Sequence, residues 1–320
     1  MPAAGDRWYP RAKRGTALTR TAAGGTRAPS TSLRGILLAL LAWLLFAAMV
    51  AGSKLLAQDY AVIQFLWVRY LALLAVAWWF ARRDPSGPGL RTRHIWLQSL
   101  RSLLLVVEIG LFIAAIAVLP LADAHAIIAL TPLLVTALSV PLLGERVGIR
   151  RWSAIGIASL GMLVILRPGW GAIHPMSLVV LLCALMFALY QVLTRMVGRD
   201  DGPAVTLFYT ALLGAVGLTV IGPFFWAWPD ARGWALFAMV AVLGASGHFL
   251  LIYALKLAEA SALQPFSYSV LIWATIVGFT VFGDLPDLFT VLGALIIVAS
   301  GLYAFYRERV RAQPLPERPS

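Results

Sequence analysis

"PLLGERVGIRR", residues 141–151, and "TVFGDLPDLF", residues 280–289, each place a glycine and an acid at the mouth of a long apolar run, as Gly144-Glu145 and again as Gly283-Asp284. The first is crowded with arginine (Arg146, Arg150, Arg151), whereas the second has none and shows Asp284, Pro286 and Asp287 instead. Lysine and arginine are retained on the cytoplasmic side of a membrane. One landmark written twice, with its positive charge stripped from the second copy, is therefore the pattern of a unit that meets the membrane from opposite sides.

Composition puts the chain in a bilayer. Of 320 residues, 61% are hydrophobic and only 12% are Asp, Glu, Lys or Arg, about half the charged share of a soluble domain. The net charge of +12 does not form a nucleic-acid patch, because the basic residues are scattered through short gaps between apolar runs. Cys183 is the single cysteine and lies inside such a run, which leaves no disulfide framework and no thiolate metal site.

With a window of about 19 residues, ten spans are read at 35–54, 62–80, 97–118, 122–142, 152–167, 175–194, 204–222, 234–255, 261–282 and 288–306. "ARRDPSGPG", "RPGWGAIHP", "GRDDGP" and "WPDARG" separate them, since Pro, Gly and charge make good turns and poor bilayer interior. The fold class is thus an all-α integral membrane protein. Residues 1–32, rich in Arg, Ala, Thr and Gly, read as a basic disordered cytoplasmic tail, and 308–320 as a second tail.

A cytoplasmic N-terminus places 21 of the 26 Lys and Arg residues on the cytoplasmic side and leaves only Lys54, Arg167 and Arg232 outside; Arg69 and Arg101 fall within spans. Ten crossings return the C-terminus to the cytoplasm. If residues 33–169 and 174–307 are two copies of a five-span unit, the odd number of crossings inverts the second. "RRWSAIGIASLGMLVIL" beside "LFTVLGALIIVASGLYAF" supports the duplication. Ten transmembrane helices as two inverted five-helix repeats is a common construction of secondary transporters, with the substrate site near the midplane.

The segments "LPLADAHAIIALTPLLVTALSVPLLGERVGIRRWSAIGIASLGMLVILRPG" (119–169) and "LAEASALQPFSYSVLIWATIVGFTVFGDLPDLFTVLGALIIVASGLYAFYRER" (257–309) resemble the EamA type of the drug/metabolite transporter superfamily, over nearly all of residues 33–307. One departure is Asp284, where the family more often has Glu. The resemblance implies a carrier in the bacterial inner membrane that exports or exchanges a small organic solute by alternating access, without ATP. Amino acids, nucleosides, vitamins such as riboflavin, and xenobiotics are all family solutes.

Ionisable groups inside spans are costly and each needs a reason. Arg69 lies about 10 Å and Glu108 about 15 Å from the outer ends of consecutive antiparallel spans, at 1.5 Å per residue, so a cross-helix ion pair and a substrate or proton site are both open to them. Arg101 is expected to snorkel to the cytoplasmic boundary. His125, at the start of the fourth span next to Asp123, reads as a surface or capping histidine, with an outer-gate proton acceptor as the alternative. His248 lies mid-span in "GASGHFLLIY", where a midplane imidazole must find a partner. "LQPFSYSVLIW" brings Tyr268 and Trp273 into the ninth span beside Pro265, Tyr190 and Gln191 offer a polar pair in the sixth, and Thr131-Pro132 bends the fourth.

The expected solute-binding set is Arg69, Glu108, Tyr190, Gln191, His248, Tyr268 and Trp273, with Glu108 and His248 as proton-coupling candidates. No phosphate loop, zinc motif or dinucleotide fingerprint is present, so the expectation is a carrier with no catalytic residues, cofactor, metal or nucleic acid. Its partners are a small organic solute, the lipid bilayer and, as coupling ion, protons; a homodimer is left open. The alternatives are a riboflavin-like vitamin importer of the same family, and a membrane enzyme or scaffold that transports nothing.

Overall fold

The computed structural model describes residues 33–83, 91–145, 147–167, 174–198, 200–258 and 263–312. The tail expected at 1–32 lies outside the described residues; of the one expected at 308–320, residues 308–312 continue a helix and the rest lies outside, as do the side chains of His248, Lys256 and Gln264. The described residues form helices and no strand. Water is missing from a bilayer core, so each backbone amide must find its partner within its own segment, and the helix does this.

The helices are α1 (Leu33–Asp59), α2 (Val62–Arg83), α3 (Ile95–Ile116), α4 (Leu121–Ile128), α5 (Thr131–Leu143), α6 (Ile149–Leu166), α7 (Pro175–Val197), α8 (Pro203–Ile221), α9 (Ala231–Leu257), α10 (Ser269–Phe282) and α11 (Leu288–Ala312). Among the described residues, ten segments are long and apolar enough to cross a membrane, α4 and α5 together counting as one. At 27 residues, α1 is about 40 Å long. Residues 55–59 therefore remain helix beyond Lys54, where the sequence suggested the span was over.

Both landmarks end a helix in the same way. Gly144 closes α5 at φ 69° and Gly283 closes α10 at φ 74°, in the left-handed region that glycine enters without steric cost. The next amide reaches back six residues in each, from Glu145 to the Ser139 carbonyl and from Asp284 to the Gly278 carbonyl, both at 3.3 Å. Five of the apolar spans separate these two caps, whose surroundings are here called the Gly144 end and the Gly283 end.

The fourth and ninth spans are broken. Pro132 has no amide to give the Ile128 carbonyl, so α4 stops at Ile128 and α5 restarts at Thr131 with the proline in its first turn. The ninth opens with a 3-10 turn, Gln264–Tyr268, before α10. The major packing pairs take one helix from each half of the chain: α1 with α9, α3 with α7, α6 with α11 and α2 with α8. Hydrophobic transfer does not drive helices together in lipid, so close backbone approach and polar contacts must select these pairs. Gly161 and Gly293 supply one such approach: a Cβ on either would lie 2.9 Å or 2.5 Å from the other's carbonyl oxygen.

Candidate functional site

Charged and polar side chains occupy three levels of this apolar bundle. At the Gly283 end, α1 carries Lys54 into the interior, 8% exposed. Its Nζ donates to the Leu119 carbonyl at 2.8 Å and to Asp284 Oδ2 at 3.2 Å, and lies 4.6 Å from the centre of the Phe282 ring. Arg167, at φ 49°, pairs with Asp287 and lies against the Phe289 ring. Asp123 keeps one buried carboxylate oxygen without a partner.

At the Gly144 end the centre is Arg101 on α3, which is fully buried. Its Nε donates to Gln98 Oε1 at 2.9 Å, one terminal nitrogen to Tyr190 and Thr194, and the other to the Thr206 carbonyl and the Thr210 hydroxyl. The guanidinium also stands over the Tyr190 ring. Gln98 passes the contact on, its Nε2 donating to Asp201 at 2.9 Å. A cation is thus neutralised through an amide by a carboxylate it does not touch. Burial raises the Asp201 pKa, but the bonds from Thr92 and Gln98 prevail and hold it below the usual carboxylate value. Further out, Glu145 accepts from Arg195 at 2.9 Å. Arg101 does not snorkel as expected: a ring of neutral acceptors from α3, α7 and α8 replaces water around it.

Arg69 lies on α2, seven residues from its start, and Glu108 on α3, eight residues from its end. Each acts on the other electrostatically, yet neither an ion pair nor a hydrogen bond joins them, and neither side chain bonds to another described residue. Arg69 lines a small cavity, about 40 Å³, with Ser53, Ala72, Phe237, Val240 and Ala241.

The structure distributes the other expected residues. Tyr190 belongs to the Arg101 constellation and stacks on Phe187. Gln191 follows it, partly buried on α7. Tyr268 packs against α11, its hydroxyl filling the space above Gly301. Among the described residues, Trp273 buries an indole N–H without a partner, as Thr131 and Ser269 bury unpartnered hydroxyls beside the two span breaks. His248 falls on α9, and its side chain lies outside the described residues. His125 is buried rather than superficial, with Nδ1 2.8 Å from the Leu121 carbonyl and its ring edge-on to Phe112. Lys54, Gln98, Thr194, Thr206, Thr210 and Asp201 were missed. The signal for Gln98 was present, since it precedes Arg101 by three positions and so shares its helix face. Among the described residues no three His, Cys, Asp or Glu side chains gather as metal ligands.

The sequence profile described as "EamA-like transporter family" matches the chain twice, over residues 33–167 and 174–306. An S-adenosylmethionine uptake transporter of Rickettsia prowazekii (strain Madrid E) is 26% identical over 261 residues, covering 81% of this chain and 86% of its own. A riboflavin transporter of Vibrio cholerae serotype O1 is 30% identical over 267 residues, covering 81% and 90%. A pseudopaline exporter of Pseudomonas aeruginosa is 23% identical over 268 residues, covering 83% and 94%. A crystal structure at 20% identity superposes with a TM-score of 0.56 over 89% of this chain and 99% of the other, a likeness of fold.

Proposed function

The chain belongs to the EamA-like transporter family, matched by both of its five-span copies, and from that premise we propose a secondary active carrier of a small organic metabolite. The solute is an amino acid or related compound, exported or exchanged by alternating access. Membership of a transporter family removes the membrane-enzyme reading. Five crossings per copy set the second copy upside down relative to the first, and the bias of Lys and Arg favours both termini in the cytoplasm of a bacterial inner membrane.

The observation that carries this reading is the Arg69 and Glu108 pair, two ionisable groups inside the spans whose side chains bond to no other described residue. Groups so expensive to bury ordinarily mark a solute or ion route. Above and below them the copies are tied together, by Lys54 and Asp284 at one end and by the Arg101 constellation at the other. Rocking the copies would open either tie while keeping the other closed, so that the middle level meets one compartment at a time. Glu108 and His248 are the proton acceptors of this scheme. Tyr190, Gln191, Tyr268 and Trp273 complete the solute contacts, and the unpartnered Trp273 N–H supports that role.

A second reading, import of a riboflavin-like vitamin, is favoured by the 30% identity to the Vibrio cholerae protein. Thermal-shift screening against amino acids, S-adenosylmethionine, riboflavin, nucleosides and polyamines, followed by uptake into proteoliposomes, tests both. A shift and uptake with an amino acid or S-adenosylmethionine supports the first reading, and with riboflavin the second. Uptake should collapse in Glu108→Gln and shift its pH optimum in His248→Gln. Uptake of none of these compounds by the intact protein would sink the carrier reading.

A further inference from the structure

The two arginines within spans both belong to the first copy, yet they stand in sites that the duplication relates to each other. Lys54 and Arg195 each hold the acid of a landmark, and they are 141 positions apart; the landmark glycines are 139 apart. Counting 141 positions on from Ser53 and Arg69 arrives at Thr194 and Thr210, the hydroxyls that bind Arg101. Counting 139 on from Gln98, Arg101 and Ser102 arrives at Phe237, Val240 and Ala241, which line the cavity at Arg69. The cavity is therefore the counterpart, near the Gly283 end, of the packed constellation near the Gly144 end. The arginine has moved to the facing helix; Phe237 stands where Gln98 was, while Ser53 keeps a hydroxyl in the place of Thr194.

That exchange decides the chemistry. Around Arg101, Gln98, Tyr190, Thr194, Thr206 and Thr210 accept from all the guanidinium nitrogens. Around Arg69 the corresponding walls are Phe237, Val240 and Ala241, which offer no side-chain acceptor, and the space is open. The volume of about 40 Å³ admits roughly three water centres, the size of an ionised head group and far less than a whole metabolite. The cavity rim is formed by Ala72 and Ala241, both exposed between α2 and α9.

We propose that this cavity binds an oxyanion, held by the fork of Arg69. The inference deepens the carrier reading, because the head group would be that of the solute. Glu108 is the acid whose field reaches the site. It disfavours a dianion and favours a single carboxylate accompanied by an ammonium group, the head of an α-amino acid. A lipid phosphate entering past Ala72 and Ala241 presents the same oxyanion chemistry.

The test uses the full chain in nanodiscs, carrying Ala241→Cys in a Cys183→Ser background. Labelling rates are compared for a sulfonate-bearing and a trimethylammonium-bearing methanethiosulfonate. The anionic reagent should react about tenfold faster, as expected for a cleft lined by positive charge. The preference should vanish in Arg69→Gln and persist in Arg69→Lys. Slowing of the reaction by L-methionine, but not by 3-(methylthio)propylamine, identifies a solute carboxylate. Slowing only when phosphatidylglycerol replaces phosphatidylcholine identifies a lipid phosphate, and either result supports the site. Equal rates for the two reagents, or a preference unchanged in Arg69→Gln, would overturn it. Labelling needs no transport, so an intact preference in a protein that moves no solute would refute the carrier reading alone.

Discussion

Lys54 and Asp284 meet at 3.2 Å across 230 positions of chain, joining the first helix of one copy to the final loop of the other. Glu145 and Arg195 make the corresponding bond at the opposite end, at 2.9 Å. The two ties differ in surroundings. Lys54 is 8% exposed and also holds the Leu119 carbonyl, whereas Arg195 and Glu145 are 56% and 38% exposed.

That contrast gives unequal costs. Lys54→Met removes a charged donor from the buried Leu119 carbonyl and from the partly exposed Asp284, and should destabilise the fold by about 1–3 kcal/mol. Arg195→Gln breaks an exposed pair and should cost less than about 1 kcal/mol. Thermal unfolding in one detergent, with each variant beside the parent, measures the difference, and equal losses would contradict it.

Arg101 should not tolerate lysine. An ammonium offers three donors from one point and cannot span acceptors on α3, α7 and α8 as the planar fork does. Arg101→Lys is expected to lose most of what Arg101→Gln loses, roughly 3 kcal/mol or more for a broken buried network. A cysteine at Thr210 should also become open to a thiol reagent in Arg101→Lys and stay protected in the parent. Full protection in the variant would show that lysine suffices.

Asp201 makes the stability of the Gly144 end depend on pH. Burial raises its pKa, but the Thr92 and Gln98 bonds outweigh it, and the folded value lies below the ordinary aspartate value of 3.8. A depressed carboxylate stabilises the fold above its unfolded pKa, and that gain is lost as pH falls through the folded one. Asp201→Asn should therefore lower the melting temperature at pH 7 and match the parent progressively as pH drops below about 4. A gap that stays constant down to acid pH would contradict this.

Gly144→Ala and Gly283→Ala should each cost about 1–2 kcal/mol, since a Cβ at positive φ crowds the following carbonyl. The two costs should agree because the dihedrals do, 69° and 74°. Neither position has an atom within 4 Å of an added Cβ, so a larger loss at one would point to a contact made in another conformation. Melting curves of both variants provide the comparison.

The spans were readable because a bilayer demands long apolar runs and gathers punctuation between them. The landmarks were readable because a left-handed cap prefers glycine. Partners of buried cations were less so. Arg101 reads as a snorkelling residue from its own segment, and of its acceptors only Gln98 is local. Thr210 lies 109 positions away, and no periodicity announces that α8 will turn a hydroxyl toward α3. Lys54 was placed outside for a related reason: hydropathy stops where charge begins, while the helix continues to Asp59.

Packing across the two halves also sets an order of events during synthesis. Arg101 enters the bilayer well before Thr206 and Thr210 have been translated. At about 5–20 residues per second, the 109 positions to Thr210 take roughly 5 to 20 s. Lys54 waits longer still for Asp284. Nascent α1 and α3 therefore sit in the membrane with uncapped cations until their mates emerge from the ribosome, and biogenesis of this chain must shelter them through that interval.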